Sequence, residues 1–419
     1  MTEGNRESRK QELRRRMVNA EELPRQERRS RRRQGRGRYV LLLLLFLVLL
    51  MLLLALHWFF RRELRSVQRG WSMESFAEGG VQSDYEEYFP YIDGLLRVTR
   101  DGAGYINGAG KTVWNQSFEM AEPYVAISGT FAAIADQGKN AIYIMNAAGT
   151  TGQAETSLPI TKLSVSETGV VYALTEDREA SYITVFTKEG GTLDISIKSI
   201  LEGDGYPLDI AVSPDGTELL CSFAYLENGV LQNRLVFYNL SEVGQSAGSN
   251  RVVGGFSDDF KGHLCGRVRF SGNALAQAFY DGGVAFFSTK LLTSPALLSK
   301  QETTEAIRSI AYSGDYVGVI TDTEQEGSTE PYRLSVYRTN GQKCYERLFA
   351  FPYSGFTLDD GRAILYREQE LCIYDRRGKI RFSGTLEAPV SEVKILSDNA
   401  FGMRLMVGGG GRMENISLR

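Results

Sequence analysis

The stretch IAVSPDGTELLCSF, residues 210–223, decides how the rest of the chain is read. An alternating apolar run (Ile210, Val212) enters a Ser-Pro-Asp-Gly turn, and a second one (Leu219, Cys221, Phe223) leaves it. Pro214 presets its own φ and Asp215-Gly216 supply the reversal, so the stretch predicts a β-hairpin.

The pattern recurs. YFPYIDGLLRV, YVAISGTFAAIA, KLSVSETGVVYAL, VRFSGNALAQAF, IAYSGDYVGVIT, FTLDDGRAILY and VKILSDNAFGMRLM share an apolar run, a Ser or Asp opening the turn, and a second apolar run. The turn-opening residues are Asp93, Ser128, Ser166, Ser213, Ser271, Ser313, Asp359 and Ser397, a mean period of about 43 residues. In seven of the eight units a second hairpin follows the first, for example YITVFTKEGGTLDISI and LCIYDRRGKIRFSGTL. Four strands per unit at this period predict an all-β fold, a β-propeller of about eight four-stranded blades, with seven as the alternative. The last unit ends one strand short. An open blade edge invites foreign pairing, so residues 72–82 are expected to clasp the ring by pairing near Met413 to Leu418.

The repeats resemble the propeller group that contains tryptophan–aspartate and quinoprotein-type repeats. Ser213 to Gly216 is similar to the a–b turn common in bacterial propellers, and GYINGAGKTVW (104–114) to the Gly-Lys-x-x-Trp ending of quinoprotein repeats. Only one unit carries that Trp, so a quinone is not implied. The whole layout resembles a family of single-pass, membrane-anchored Gram-positive propeller proteins of unknown function. That resemblance implies a propeller outside the membrane and transfers no catalytic residue.

Charge divides the chain. Residues 1–38 hold 14 Lys/Arg and 6 Asp/Glu, whereas the remainder holds 34 and 45. Between them lies YVLLLLLFLVLLMLLLALHWFF (39–60), 22 residues without a formal charge. At 1.5 Å per residue it reaches roughly 33 Å, enough for the hydrocarbon core. The domains expected are therefore a basic cytoplasmic tail (1–38), a transmembrane signal-anchor helix (39–60), a juxtamembrane linker with the clasp (61–85) and an extracytoplasmic propeller (86–419). Eight Arg in 24–38 against four in 61–75 place the N-terminus in the cytoplasm of a cell-membrane protein. The tail's Arg28, Arg29, Arg31, Arg32, Arg33, Arg36 and Arg38 are candidates for anionic lipid. No aromatics interleave them, so no nucleic-acid partner is expected.

The residues that carry chemistry are sparse. Of two histidines, His57 lies in the anchor and His263 stands alone in a loop, which leaves neither a His-based zinc site nor a Ser-His-Asp triad. GAGKT (108–112) fails as a phosphate loop because Tyr105 occupies the required glycine position. The glycines 408–411 read as a flexible b–c link. Cys221, Cys265, Cys344 and Cys372 are too few for a disulfide-built fold, although one bridge stays open. Catalytic, metal and cofactor residues are expected to be none.

Loop length supplies the functional expectation. Segments 175–181, 224–234 and 321–333 read as long b–c loops and 241–266 as mainly a d–a link, all on one face. The partner-binding candidates there are Asp177, Tyr225, Glu227, Phe260, Glu324 and Tyr332, acids beside aromatics that suit a basic or sugar-like partner. The expected function is a membrane-tethered binding or scaffolding module at the cell envelope, not an enzyme, with an envelope protein or wall polymer as partner. The alternatives are an envelope glycan hydrolase using loop carboxylates and a transmembrane sensor signalling through the tail.

Overall fold

The computed structural model describes residues 4–59, 63–74, 85–323, 327–399 and 401–419, with the side chains of 5, 18–38 and 56–59 left out. It divides into two units, 1–62 and 63–419. The first holds one helix, Gly4–Phe59. Among the described residues no helix is long and apolar enough to cross a membrane. The run 39–60 expected to span has described side chains only over 39–55, and that length reaches roughly 25 Å. The arginine cluster of the tail lies outside the described side chains.

The second unit is eight four-stranded antiparallel sheets, which settles the blade count at eight. Seven blades are continuous meanders: 86–117, 123–155, 160–200, 206–256, 265–302, 307–349 and 355–385. Strands are called a to d in chain order within each blade. The eighth takes its first three strands from Glu392–Asn399, Gly402–Gly409 and Arg412–Leu418, and its outer strand from Val67–Glu74 at the other end of the unit. The ladder runs from Val67↔Leu418 to Glu74↔Arg412. The clasp therefore begins five residues earlier than residues 72–82, and 75–82 lie outside the described residues. Val67, Trp71 and Met73 suit a half-buried strand.

The core is not central. Eight separate apolar clusters fill the wedges between neighbouring blades, because each sheet buries both faces against its neighbours. Leu64, fully buried, joins the wedge between blades 7 and 8, and its N–H donates to the Arg381 carbonyl at 2.7 Å. Trp71 and Met73 close the wedge between blades 8 and 1 around Tyr88, Met406 and Met413. Two glycine-rich segments find their reason here. Gly110, at φ +82°, lies under the Trp71 ring, where a Cβ would come within 2.6 Å. Gly408 likewise faces the Tyr88 ring, so residues 408–409 are packed strand rather than flexible link. GAGKT is the c–d turn that seats Trp71, with the Asn107 side chain accepting from the N–H groups of Ala109 and Lys111.

The opening hairpin is a junction as well as a turn. Ser213 Oγ donates to Asp215 and accepts from the Glu218 N–H at 2.9 Å. The Pro214 carbonyl accepts from Glu167 of blade 3, and the Asp215 N–H donates to Asn273 of blade 5 at 3.0 Å. One turn thus ties three blades.

All four cysteines are free thiols, and burial pushes Cys265 up to about 12 and Cys372 to about 11. Of the three Asn-x-Ser sequons, Asn239 and Asn415 are buried and only Asn115 is exposed. His263 is half-exposed and partnered, its Nδ1 lying 2.6 Å from Asp281.

Removal of residues 1–74 should lower the melting temperature of the propeller by on the order of 10 °C. Removal of 323–331 should cost far less, since it breaks no ladder. Equal losses in a thermal melt would mean that the outer strand does not hold the ring. A finer probe is Arg69, whose Nε lies 3.1 Å from the buried Glu414 carboxylate, without hydrogen-bond alignment, and whose Nη2 lies 2.7 Å from Glu387. Arg69→Met should cost about 2 kcal/mol, less than a fully buried pair because Arg69 stays one-third exposed.

Candidate binding face

The b–c turns and d–a links lie on one face of the disc, the a–b and c–d turns on the other. Among the described residues, the connections on the first face hold fourteen Asp/Glu and four Lys/Arg. Those on the second, counted with the entry segment 63–66 and Arg419, hold nine of each. Charge, rather than loop length, separates the two faces.

Loop length misleads because several of the expected loops are strands. Residues 224–234 form the end of a long hairpin, Glu218–Glu227 with Val230–Asn239, closed by Asn228-Gly229 at φ 52° and 78°. Both turn residues are left-handed, the two-residue reversal that Asn-Gly favours and that matches strand twist. Tyr225 stands on this hairpin half-buried, with the Arg234 guanidinium 5.0 Å over its ring; Glu227 is exposed at the tip. Arg234 also donates to the carbonyls of Gly203 and Asp204, bracing the hairpin against the neighbouring link. In segment 175–181 only 177–179 are unpaired. There Asp177 accepts from the N–H groups of Glu179 and Ala180 at 2.8 Å, and those bonds hold its carboxyl below the usual range. Asp177 is exposed, but its first task is its own turn.

Segment 241–266 divides between the faces. Helix Glu242–Ala247 belongs to the c–d connection on the opposite face, strand Val252–Phe256 is the outer strand of blade 4, and only 257–264 is the d–a link. Phe260 in that link is fully buried, 5.3 Å from the Tyr280 ring and 6.3 Å from Phe287. It is a core residue, which corrects its assignment to the contact surface. A ring that size in a short turn is held inward by the hydrophobic effect. Glu324 falls outside the described residues. Tyr332 is half-buried in an aromatic group with Phe349 at 5.3 Å and Tyr353 at 5.5 Å, and Arg308 caps it at 5.5 Å while pairing with Asp322 at 2.6 Å. The structure thus spreads the candidates over blades 3 to 6 of one face and gathers no tight constellation.

A constellation that the sequence did not announce lies beside them. A cleft of about 620 Å³ runs between blades 5 and 6, lined by Gly282-Gly283, the end of the blade 5 outer strand with the link residues 303–305, and strands b to d of blade 6. At its wall Arg333 joins two carboxylates, reaching Glu305 at 3.0 Å and Glu346 at 2.7 Å. Lys343 adds a second contact to Glu346 at 2.7 Å, and the Thr321 hydroxyl donates to Glu305 at 2.5 Å. Burial raises the Glu305 carboxyl, but Arg333 and Thr321 outweigh it and the net shift is downward. Lys343, first, and Arg333 lower Glu346. Both acids therefore stay ionised, neither holding a proton to give. These residues are remote in sequence and meet only through strand pairing. The available signal was the outward alternation Arg333, Ser335, Tyr337 in RLSVY.

The chain belongs to a family of unknown function, DUF5711, whose model matches residues 66–418. No curated protein matches it. Among solved structures, apo AztD from Citrobacter koseri is similar at 9% identity and a TM-score of 0.50, over 73% of this chain and 87% of that one. The Pan2 WD40 domain of Neurospora crassa is similar at 11% identity and 0.42, over 85% and 97%. The Kuenenia stuttgartiensis hydrazine synthase is similar at 13% and 0.44, over 69% and 95%. At 9% identity the likeness to AztD shows a shared fold alone.

Arg333→Leu should leave two carboxylates facing each other without their common cation. Their depressed folded-state pKa values give stability that is present above the unfolded value near 4.5 and lost as pH falls through the folded one. The variant should therefore lose about 1–2 kcal/mol at pH 7, discounted for one-third exposure, and little at pH 3. Thermal melts at the two pH values check this; an equal loss at both would make the effect one of packing.

Proposed function

We propose that this member of the DUF5711 family is a membrane-tethered, extracytoplasmic binding module whose b–c/d–a face docks a basic partner, an envelope protein or a basic group on a wall polymer. The observation that carries the reading is the acidity of that face, fourteen carboxylates against four cations among the described residues, beside a face that is balanced. Such a field raises the encounter rate of a cationic partner and makes capture sensitive to salt. Exposed Leu226, Val230 and Leu231 at the tip of the blade 4 hairpin add apolar contact next to Glu227.

The tether rests on the apolar run 39–60. Its described leucines, Leu41 to Leu54, are exposed all round the helix, which suits a lipid environment better than water. The stronger arginine flank before the run supports a cytoplasmic N-terminus and an exported propeller. The chain enters the propeller at Leu64, on the a–b/c–d face, so the acidic face is the one away from the point of entry. The hydrolase alternative is less well supported. Its acid would need to hold a proton near neutrality, and the cleft carboxylates Glu305 and Glu346 are held ionised, so neither serves as that acid.

Two measurements test the reading. Protease added to intact cells should reduce the protein to its tail and apolar run, while full protection would reverse the orientation. Immobilised full-length protein should retain basic envelope components, and capture should fall several-fold both in 0.5 M salt and in a variant carrying Asp177→Lys, Glu227→Lys and Glu330→Lys. Capture unchanged by the charge reversals would remove the acidic face from the function.

A further inference from the structure

The centre of the disc has the opposite electrostatic character from its acidic face. The a strands of all eight blades contribute to the wall of a channel of about 760 Å³. Ile92, Gly129, Glu167, Pro214, Gly272 and Gly314 at its rim are all in or beside a–b turns, so it opens on the face where the chain enters. The charged residues on its wall are Arg267, Arg269, Lys394 and Glu167, three cations to one carboxylate.

The other carboxylates close by are already engaged. Asp209 accepts from the Val268 N–H of the next blade at 2.9 Å and lies 3.9 Å from Arg267. Asp359 accepts from the Ile395 N–H of the next blade at 2.9 Å. Each uses one oxygen to cap an inner-edge amide, a structural duty shared by Ser164, whose hydroxyl accepts from Val212 at 3.0 Å. Glu392, partly accessible yet enclosed by protein, is pushed by that enclosure up to about 8 and is neutral at pH 7. Lys162 lies near Tyr124 and Asp209, its Nζ 5.7 Å over the Tyr124 ring, and adds a further cation. Asp93, Asp215, Asp315 and Asp360, in a–b turns on this face, are the remaining acids near the mouth; Asp93 accepts from the Tyr105 hydroxyl, and Asp360 pairs with Arg362 and Arg376.

Arg269 is the residue this leaves least satisfied. Its guanidinium lies 4.4 Å over the Tyr312 ring, and Nη2 donates to the Gly314 carbonyl at 3.3 Å. Its Nη1 is buried without a hydrogen-bond acceptor, and among the described residues no carboxylate lies within 4 Å of Arg269 or Lys394. Burial lowers Arg269 to about 10, outweighing Tyr312 and the more distant Asp315 carboxylate, which pull the other way. A guanidinium so placed gains most from an anion with paired oxygens, which its planar fork matches.

We propose that the mouth of this channel binds a small molecule through a phosphate or carboxylate group, with Arg267 and Arg269 as the fork, Lys394 of blade 8 as a further cation on the same wall, and the Tyr124 and Tyr312 rings beside the body of the ligand. The channel is larger than a bare phosphate needs, so the anionic group is one end of a larger ligand. The acidic outer face repels such a ligand and leaves the a–b mouth as its entrance. This site is independent of the basic partner proposed for the other face.

The test is calorimetric titration of the full-length protein with pyrophosphate and, separately, with citrate at constant ionic strength, alongside thermal melts. Saturable binding of either one, with a matching rise in melting temperature, is the expected result. Pyrophosphate alone would assign a phosphate ligand, citrate alone a carboxylate. Arg269→Gln should weaken binding about tenfold or more, Arg269→Lys less, and Lys290→Gln on a c–d turn not at all. Should Arg269→Gln fail to fold, Lys394→Gln provides the same test without touching the stacked arginine. No saturable binding of either anion up to roughly 10 mM, or binding indifferent to Arg267, Arg269 and Lys394, overturns the proposal.

Discussion

The pairing of Val67–Glu74 with Arg412–Leu418 is the contact on which the ring depends. Every other blade forms from consecutive hairpins, whose loop-closure cost is small and local. Blade 8 alone draws its strands from both ends of the unit. Without the outer strand, a row of N–H and C=O groups on 412–418 would stand unpaired and the wedge against blade 1 would lose Trp71 and Met73. That wedge has only five fully enclosed side chains, against fourteen between blades 7 and 8, so it has least to spare. Closure here is a backbone ladder reinforced by one aromatic ring seated on a glycine turn.

Much of this was legible in the sequence because the repeat is local. Eight Ser- or Asp-opened turns at one period mark eight a–b hairpins, and the missing final strand follows from counting. SPDG could be read as a turn from Pro214 and Gly216 alone, but its bonds to Glu167 and Asn273 could not, since they join three blades. The clasp was placed a few residues late, because Arg65 and Arg69 look like membrane-flank charges, not strand residues. Arg69 instead brings its charge to 3.1 Å from the buried Glu414, a partner nearly the whole chain away. The binding face was the least legible part. Asn228-Gly229 is a strong hairpin signal, yet the surrounding polar residues made 224–234 resemble a loop. Phe260 sat in a segment so rich in Gly, Asp and Ser that only its packing against Tyr280 and Phe287 reveals it as core.

The distribution of charge could not be read at all before the strands were placed. Acidic residues are scattered along the chain, and only the meander sends the b–c and d–a connections to one side. A propeller does this automatically, since each strand reverses the direction of the last. A modest bias in the composition of alternate turns thereby becomes a field over a whole face. The same geometry brings the a strands together, so Arg267, Arg269 and Lys394, on two different blades, share one channel.

These two consequences differ in what they ask of the structure. A charged face works through the sum of many exposed groups, each worth little, so it tolerates the loss of any one. The channel cations are few and enclosed, and each must be answered locally. Asp209 and Asp359 are committed to the amides that link neighbouring blades, so neither can turn to the channel without opening a junction. The rigidity that closes the ring is therefore what leaves Arg269 under-paired. A looser ring would let a carboxylate swing in and neutralise it; a ring latched at blade 8 holds the cation ready for an anion from outside.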